Sequence, residues 1–260
     1  MRDRTDDDDV EGNLPKRQIA LPLRNHRADT VPMSQNTQLF HDAQFASDYI
    51  DHPPRFMPGY REMHRLAAVL ISERAPANAG VLVLGAGGGL EMKALAEARP
   101  EWTFDGVDPA APMLAVASKT LGPLIARARL HEGYIDDAPA GPFDAATALL
   151  TLHFLPPDER RRTAAEVRRR LAPGAPFVVA HMSFPQRDTA QRAMWLSRYA
   201  DYAVDSGISR EDAERMRNTV NSDVPFLTPD EDMAILAEAG FSDVTEFYSA
   251  FTFRGWVGYA

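Results

Sequence analysis

The sequence contains no cysteine. That removes disulfides, thiolate nucleophiles and cysteine-ligated zinc, and it predicts a chain suited to a reducing, cytoplasmic setting. Long apolar runs are missing too. The longest, such as Val81–Leu84, fall far short of the roughly 20 residues a membrane helix needs, so no membrane contact is expected. Arg2 and Arg4 lead straight into Asp6–Asp9, which is not the basic-then-apolar pattern of a secretory leader. Positive charge is in short supply: 28 Lys and Arg stand against 37 Asp and Glu, a net charge of −9. Sequence-independent binding to phosphate backbones relies on a cationic field, so nucleic acid is not the expected partner. His41, His52 and His64 have no companion at metal-ligand spacing, and no metal is expected. No Ser-His-Asp or two-carboxylate constellation stands out.

What is present is a chain of 260 residues, long enough to bury one substantial core, with or without a small cap. Residues 1–32, with their acidic run, Pro15 and Pro22, read as a disordered polar arm. Met33-Ser34 opens a better-patterned stretch, so 33–260 is expected to be a single domain, with Met33 an alternative start. Apolar spacing predicts a helix over Tyr60 to Glu73. Strand and helix patterns then alternate: strands at Val81–Leu84, Trp102–Val107, Arg129–Glu132, Phe143–Leu150 and Phe177–Met182, with helices between most of them. Such alternation predicts an α/β fold with a parallel sheet covered on both faces. The Phe184–Thr228 segment breaks the rhythm as a helical insertion. A helix over Pro229–Ala239 follows, capped by Thr228, then two strand-like runs at Val244–Phe247 and Phe251–Tyr259.

The most informative stretch is Val81-Leu82-Val83-Leu84-Gly85-Ala86-Gly87-Gly88-Gly89-Leu90, a buried strand entering a glycine-rich turn and then a helix. Glycines suit such a turn because a side chain there would hold a ligand away from the backbone. About 20 residues on, Asp108 follows the second strand, where a carboxylate can accept both hydroxyls of a ribose. Taken alone, the loop is equally explained as a tight turn; with the acid, it predicts a nucleoside site. A dinucleotide site would want glycine at position 90 and an uncluttered helix start facing a pyrophosphate, whereas Leu90 and Glu91 are bulky and acidic. S-adenosylmethionine carries no phosphate and ends in an amine as well as a carboxylate, so it fits better; a nicotinamide ligand ranks last.

Val81–Gly87 followed by Val107-Asp108-Pro109-Ala110-Ala111-Pro112-Met113 resembles the first two cofactor motifs of class I S-adenosylmethionine-dependent methyltransferases. Glu166 to Val179, with Leu171-Ala172-Pro173-Gly174-Ala175, is similar to their helix–turn before strand five. A looser resemblance, through Pro58-Gly59-Tyr60, Thr151-Leu152-His153-Phe154-Leu155 and Phe253–Gly258, is to the carboxy-S-adenosylmethionine synthase branch, which serves tRNA wobble uridine modification. That branch carries an asparagine where this chain has Leu149 and Leu150, and its carboxylate-holding arginine has only loose counterparts in Arg215 and Arg217. The resemblance implies a Rossmann-like, seven-stranded, mostly parallel sheet with its last strand antiparallel, helices on both faces, and a helical cap at 184–228. Carried over residue by residue, it implies that Gly85, Ala86 and Gly87 line the methionine part of the cofactor and that Asp108 binds the ribose. Pro109 and Met113 would lie beside the adenosine, Tyr134 and Ile135 along the adenine edge, Leu149 and Leu150 at the sulfonium end, and Tyr60 over the cofactor. Where the family often has an acid at position 134, Asp136 or backbone is the expected partner of the adenine amino group.

Methyl transfer from a sulfonium is an in-line displacement activated by the cofactor, so a base is needed only when the acceptor carries a proton. His153, after the fourth strand, is the first candidate base, with His181 on the same rim as the second; a packed turn histidine is the plainer reading of each. Arg160-Arg161-Arg162 and Arg168-Arg169-Arg170 read as a solvated helix face. Met194, Trp195, Tyr199, Tyr202 and Met216 in the insertion could shape an acceptor pocket, or serve as core or as a homodimer contact. The expectation is therefore metal-independent methyl transfer to a small-molecule acceptor. A carboxy-S-adenosylmethionine synthase-like enzyme and a non-catalytic S-adenosylmethionine-binding protein are the alternatives.

Overall fold

The computed structural model describes residues 38–260; the expectations for the arm at 1–32 and for Met33 lie outside the described residues. Seven strands form one sheet in the order β3-β2-β1-β4-β5-β7-β6: β1 (Gly80–Leu84), β2 (Thr103–Asp108), β3 (Ala128–Glu132), β4 (Ala145–Leu149), β5 (Pro176–Met182), β6 (Ser242–Ala250) and β7 (Phe253–Tyr259). The first five run parallel, and β7 is inserted antiparallel between β5 and β6. This is the Rossmann-like sheet that the strand–helix alternation and the resemblance implied.

Side chains alternate across the strands, and the core follows that period of two. Val81 and Val83 face one apolar cluster, Leu82 and Leu84 the other. The first cluster is covered by α3 (Tyr60–Ser72), α4 (Leu90–Ala98) and α5 (Ala111–Leu121), the second by α6 (Pro157–Arg170) and α9 (Pro229–Glu238). Thr228 caps α9 through a reciprocal pair with Glu231, satisfying two backbone donors at the helix start. The 184–228 segment folds into α7 (Thr189–Asp205) and α8 (Arg210–Asp223), packed on each other. Their start residues Asp188 and Ser209 cap them through their side chains.

Several boundaries move. Strand four is shorter than Phe143–Leu150, because Phe143 makes only an isolated bridge to Leu171 and Leu150 turns to φ 60°. Pro53-Pro54 ends one helix, α1 (Ala43–Tyr49), but also opens the next, α2 (Pro53–Phe56); proline suits the first helical turn, where its missing N–H is not needed. Between β1 and β4 the strand order reverses, and the carboxyl ends of those strands are where an open α/β sheet offers its crevice.

Candidate active site

The glycine turn rises from β1 and is tied down at the end of β2. The amides of Gly85 and Ala86 both donate to the Val107 carbonyl. The Gly87 amide donates to Asp108 Oδ2 at 2.9 Å, and the Ala110 amide to Asp108 Oδ1 at 2.9 Å. Loop and acid are thus one unit. Each carboxylate oxygen spends one acceptor direction on backbone and keeps another, which suits the paired hydroxyls of a ribose. Burial raises the Asp108 pKa, and the two amides and His41 pull it back.

The loop glycines have different reasons. A Cβ on Gly85 would fall 2.0 Å from Thr151 Oγ1, and one on Gly89 would meet the α5 backbone at Ala117. At these two positions glycine is required by the packing of Thr151 and α5 alone, whatever a ligand demands. At Gly87 a Cβ would meet nothing closer than 3.7 Å, an ordinary contact, so of the three only this one is free of a steric clash.

Over the unit lies α1. Its Ala46 and Tyr49 pack with Ala110 and Met113, and Tyr49 stands near enough to Asp108 that burial, assisted by that carboxylate, raises its hydroxyl to about 12. Beyond the strand ends is a cavity of about 80 Å³, roomy enough for several waters or a small organic group. It is bounded by α1, α2, the cap helices and the β4 and β5 ends, through residues including Phe45, Phe56, Leu150, His153, Met182 and Tyr199. No Lys, Arg, Asp or Glu lines it among the described residues. Leu150 holds φ 60° at its edge, a conformation rare for a bulky side chain and a usual companion of functional sites.

Residues 81–174 match the model of the methyltransferase domain family. The fold is that of the class I methyltransferases. Among solved structures, an O-methyltransferase family protein from Burkholderia thailandensis superposes with TM-score 0.59 at 17% identity, over 87% of this chain and 63% of that one. Human N-acetylserotonin methyltransferase in complex with SAM gives TM-score 0.58 at 13% identity, over 86% and 58%. The chain therefore spans somewhat less than two thirds of these proteins. Curated relatives match over nearly their whole length. The carboxy-S-adenosyl-L-methionine synthase of Campylobacter lari is 25% identical over 84% of this chain and 93% of that one. That of Chromohalobacter salexigens is 27% identical over 88% and 86%. Both resemblances read from the sequence hold, and S-adenosylmethionine is the cofactor that this fold and domain serve.

The methyltransferase motif residues fall as follows. Gly85, Ala86, Gly87, Asp108, Pro109 and Met113 come together at the β1 and β2 ends, with Met113 buried under α1. Tyr134 is half-buried near enough to Asp108 for that charge, after burial, to raise its hydroxyl; Ile135 begins a short 3₁₀ turn and is buried. Asp136 is held by Arg162 through both oxygens, at 3.0 and 2.9 Å. Tyr60 packs edge-on against His64, and its hydroxyl is raised by burial, then by Tyr49 and Glu91. Leu149 is core, whereas Leu150 faces the cavity.

His153 lines the cavity; burial, then His181 and Arg160, hold its pKa well below the usual histidine value, and its Nδ1 has no partner. His181 does not reach the rim. It is packed behind His153, with ring centroids 6.1 Å apart, against Trp256 and 3.2 Å from Asp232. The arginine run also needs correcting: Arg161, Arg162 and Arg169 sit in solvated pairs as a helix face should, but Arg160 is buried in an ion pair with Asp232. Its spacing with Thr163, Ala164 and Val167, all buried on α6, was the signal for this. Arg215 and Arg217 pair with acids of their own helix, Arg215 with Glu211 and Asp212, Arg217 with Glu214.

Proposed function

We propose that this chain is a methyltransferase that binds S-adenosylmethionine across the β1 and β2 ends and methylates a small, largely apolar acceptor in the adjoining cavity. When bound, the cofactor supplies the activated methyl group. Asp108 would hold the sugar, Gly87 would leave the backbone open to it, and Leu150 would border the reacting end. The cavity's apolar wall would exclude water and orient the acceptor. His153, kept neutral by burial, would take a proton from an acceptor that carries one. The observation that carries the reading is the Asp108 carboxylate fastened to the glycine turn beside a cavity with no ionised side chain in its lining.

The second reading, carboxy-S-adenosylmethionine synthesis, is favoured by the names of the relatives. It asks for a cation to meet the added carboxylate, and the two arginines that loosely match that role, Arg215 and Arg217, do not line the cavity and sit in surface pairs on α8. Calorimetry with S-adenosylmethionine and S-adenosylhomocysteine tests the shared part. Micromolar uptake, weakened at least tenfold by Asp108→Ala, is expected; no uptake, or uptake indifferent to that change, refutes it. Mass spectrometry of the ligand retained on purification separates the two, since a carboxylated cofactor is heavier.

A further inference from the structure

The glycine turn leads into α4, and within the first turn of that helix Glu91 points inward rather than out. It is 7% exposed, one carboxyl oxygen has no hydrogen-bond partner, and it makes no ion pair among the described residues. Thr147, on β4, is fully buried beside it and its hydroxyl is equally without a partner. Buried polar groups left unsatisfied cost stability, and pairs of them in one place persist when a ligand completes them. Thr147 lies in register between Val83 of β1 and Val178 of β5, and Glu91 follows the last glycine of the turn by two residues.

On the reading above, we propose that Glu91, with the Thr147 hydroxyl, receives the ammonium group of the cofactor's amino-acid end. An ammonium answers a buried carboxyl by stabilising its ionised form. The geometry has a proton consequence. Burial raises Glu91 to about 8, so the carboxyl is mostly neutral near pH 7. An ammonium against it would restore the charged form and expel the proton. The titratable groups facing it are Tyr60 on α3 and, next, Tyr49 on α1, both held protonated by burial, so neither supplies the proton.

The test is calorimetry near pH 7 in buffers of different ionisation heat, with S-adenosylhomocysteine and with 5′-methylthioadenosine, which lacks the amino-acid end. Binding of S-adenosylhomocysteine is expected to release a large fraction of one proton. Glu91→Gln should abolish that release and weaken S-adenosylhomocysteine roughly ten- to a hundredfold, while methylthioadenosine releases nothing and binds both proteins within about twofold. Because glutamine matches the neutral carboxyl in shape, unchanged methylthioadenosine binding also reports an intact fold. Unchanged affinity and proton release for S-adenosylhomocysteine in Glu91→Gln would overturn the assignment while leaving the nucleoside site standing. If neither nucleoside binds the unaltered protein, the site reading fails and the assignment falls with it.

Discussion

Replacing Asp232 with alanine is expected to be among the most costly single changes in this protein. Its carboxylate and the Arg160 guanidinium are each 1% exposed, and the same oxygen lies 3.2 Å from His181 Nε2. Arg160 is further held by the carbonyl of Pro225 at 3.1 Å and that of Leu155 at 3.3 Å, so it cannot swing out to water. Asp232→Ala therefore strands a buried cation, a loss of about 3–5 kcal/mol. Arg160→Met should cost a similar amount alone, and the double variant far less than the sum of the two, since it buries neither charge. The pair also sets an acid limit. Burial would raise Asp232, but His181 and then Arg160 more than offset it and hold it at about 2, below an ordinary 3.8. A depressed carboxylate contributes stability that is complete above about pH 4 and is lost as pH falls toward 2, here about 2 kcal/mol. Urea unfolding of the four proteins at neutral pH, with a pH series on the parent and Asp232→Ala, reads both effects. Additive losses, or a cost under about 1 kcal/mol for Asp232→Ala, would show that the pair does not hold these elements together.

Three other outcomes are expected. His153→Gln should lower kcat by roughly 10²–10⁴ on an acceptor that must lose a proton while leaving S-adenosylhomocysteine affinity unchanged in calorimetry; equal turnover would leave the histidine a purely packed residue. Gly85→Ala should destabilise by several kcal/mol (on the order of 3 or more) in urea titrations, since it adds a left-handed alanine to a Cβ placed 2.0 Å from Thr151 Oγ1. Thr151→Gly in the same chain should recover part of that loss, and no recovery would mean the glycine serves another contact. Leu150→Asn should shift stability by less than about 1 kcal/mol, because asparagine tolerates the φ of 60° that leucine resists; a loss above about 2 kcal/mol would show that packing, not backbone strain, governs the position.

The sheet was legible because local pattern and tertiary demand agree. Val81–Leu84 is apolar on both sides because both of its faces are covered, and Asp108 ends β2, where its carboxylate takes the Gly87 and Ala110 amides. What escaped the sequence depends on meetings between distant segments. Arg160 and Asp232 are 72 residues apart and come together only once α6 and α9 share a face. For the glycine turn the sequence suggested only one of the reasons for its glycines. Gly85 yields to Thr151, a residue contributed by the far side of the sheet's reversal, and no spacing along the chain announces that contact. Likewise α1 covers Met113 and approaches Asp108, yet its Phe45 and Tyr49 look from the sequence like any apolar helix side.

The site's two ends have opposite electrical character, and that contrast bears on which reaction the cavity suits. Beside the glycine turn stand two carboxyl groups, Asp108 and Glu91; toward the proposed acceptor end the lining is apolar and aromatic, without Lys, Arg, Asp or Glu among the described residues. Methyl transfer destroys a sulfonium charge, and a medium poor in polar groups disfavours the charged side of that change. The same wall would penalise a free carboxylate, which needs a cation or several N–H donors to leave water. Arg215 and Arg217 do not line the cavity, so an added carboxylate there would have to find its donors elsewhere. An acceptor whose one mobile proton can pass to His153 needs no such donor. The cavity's apolar lining is thus our reason for proposing methyl rather than carboxyl transfer.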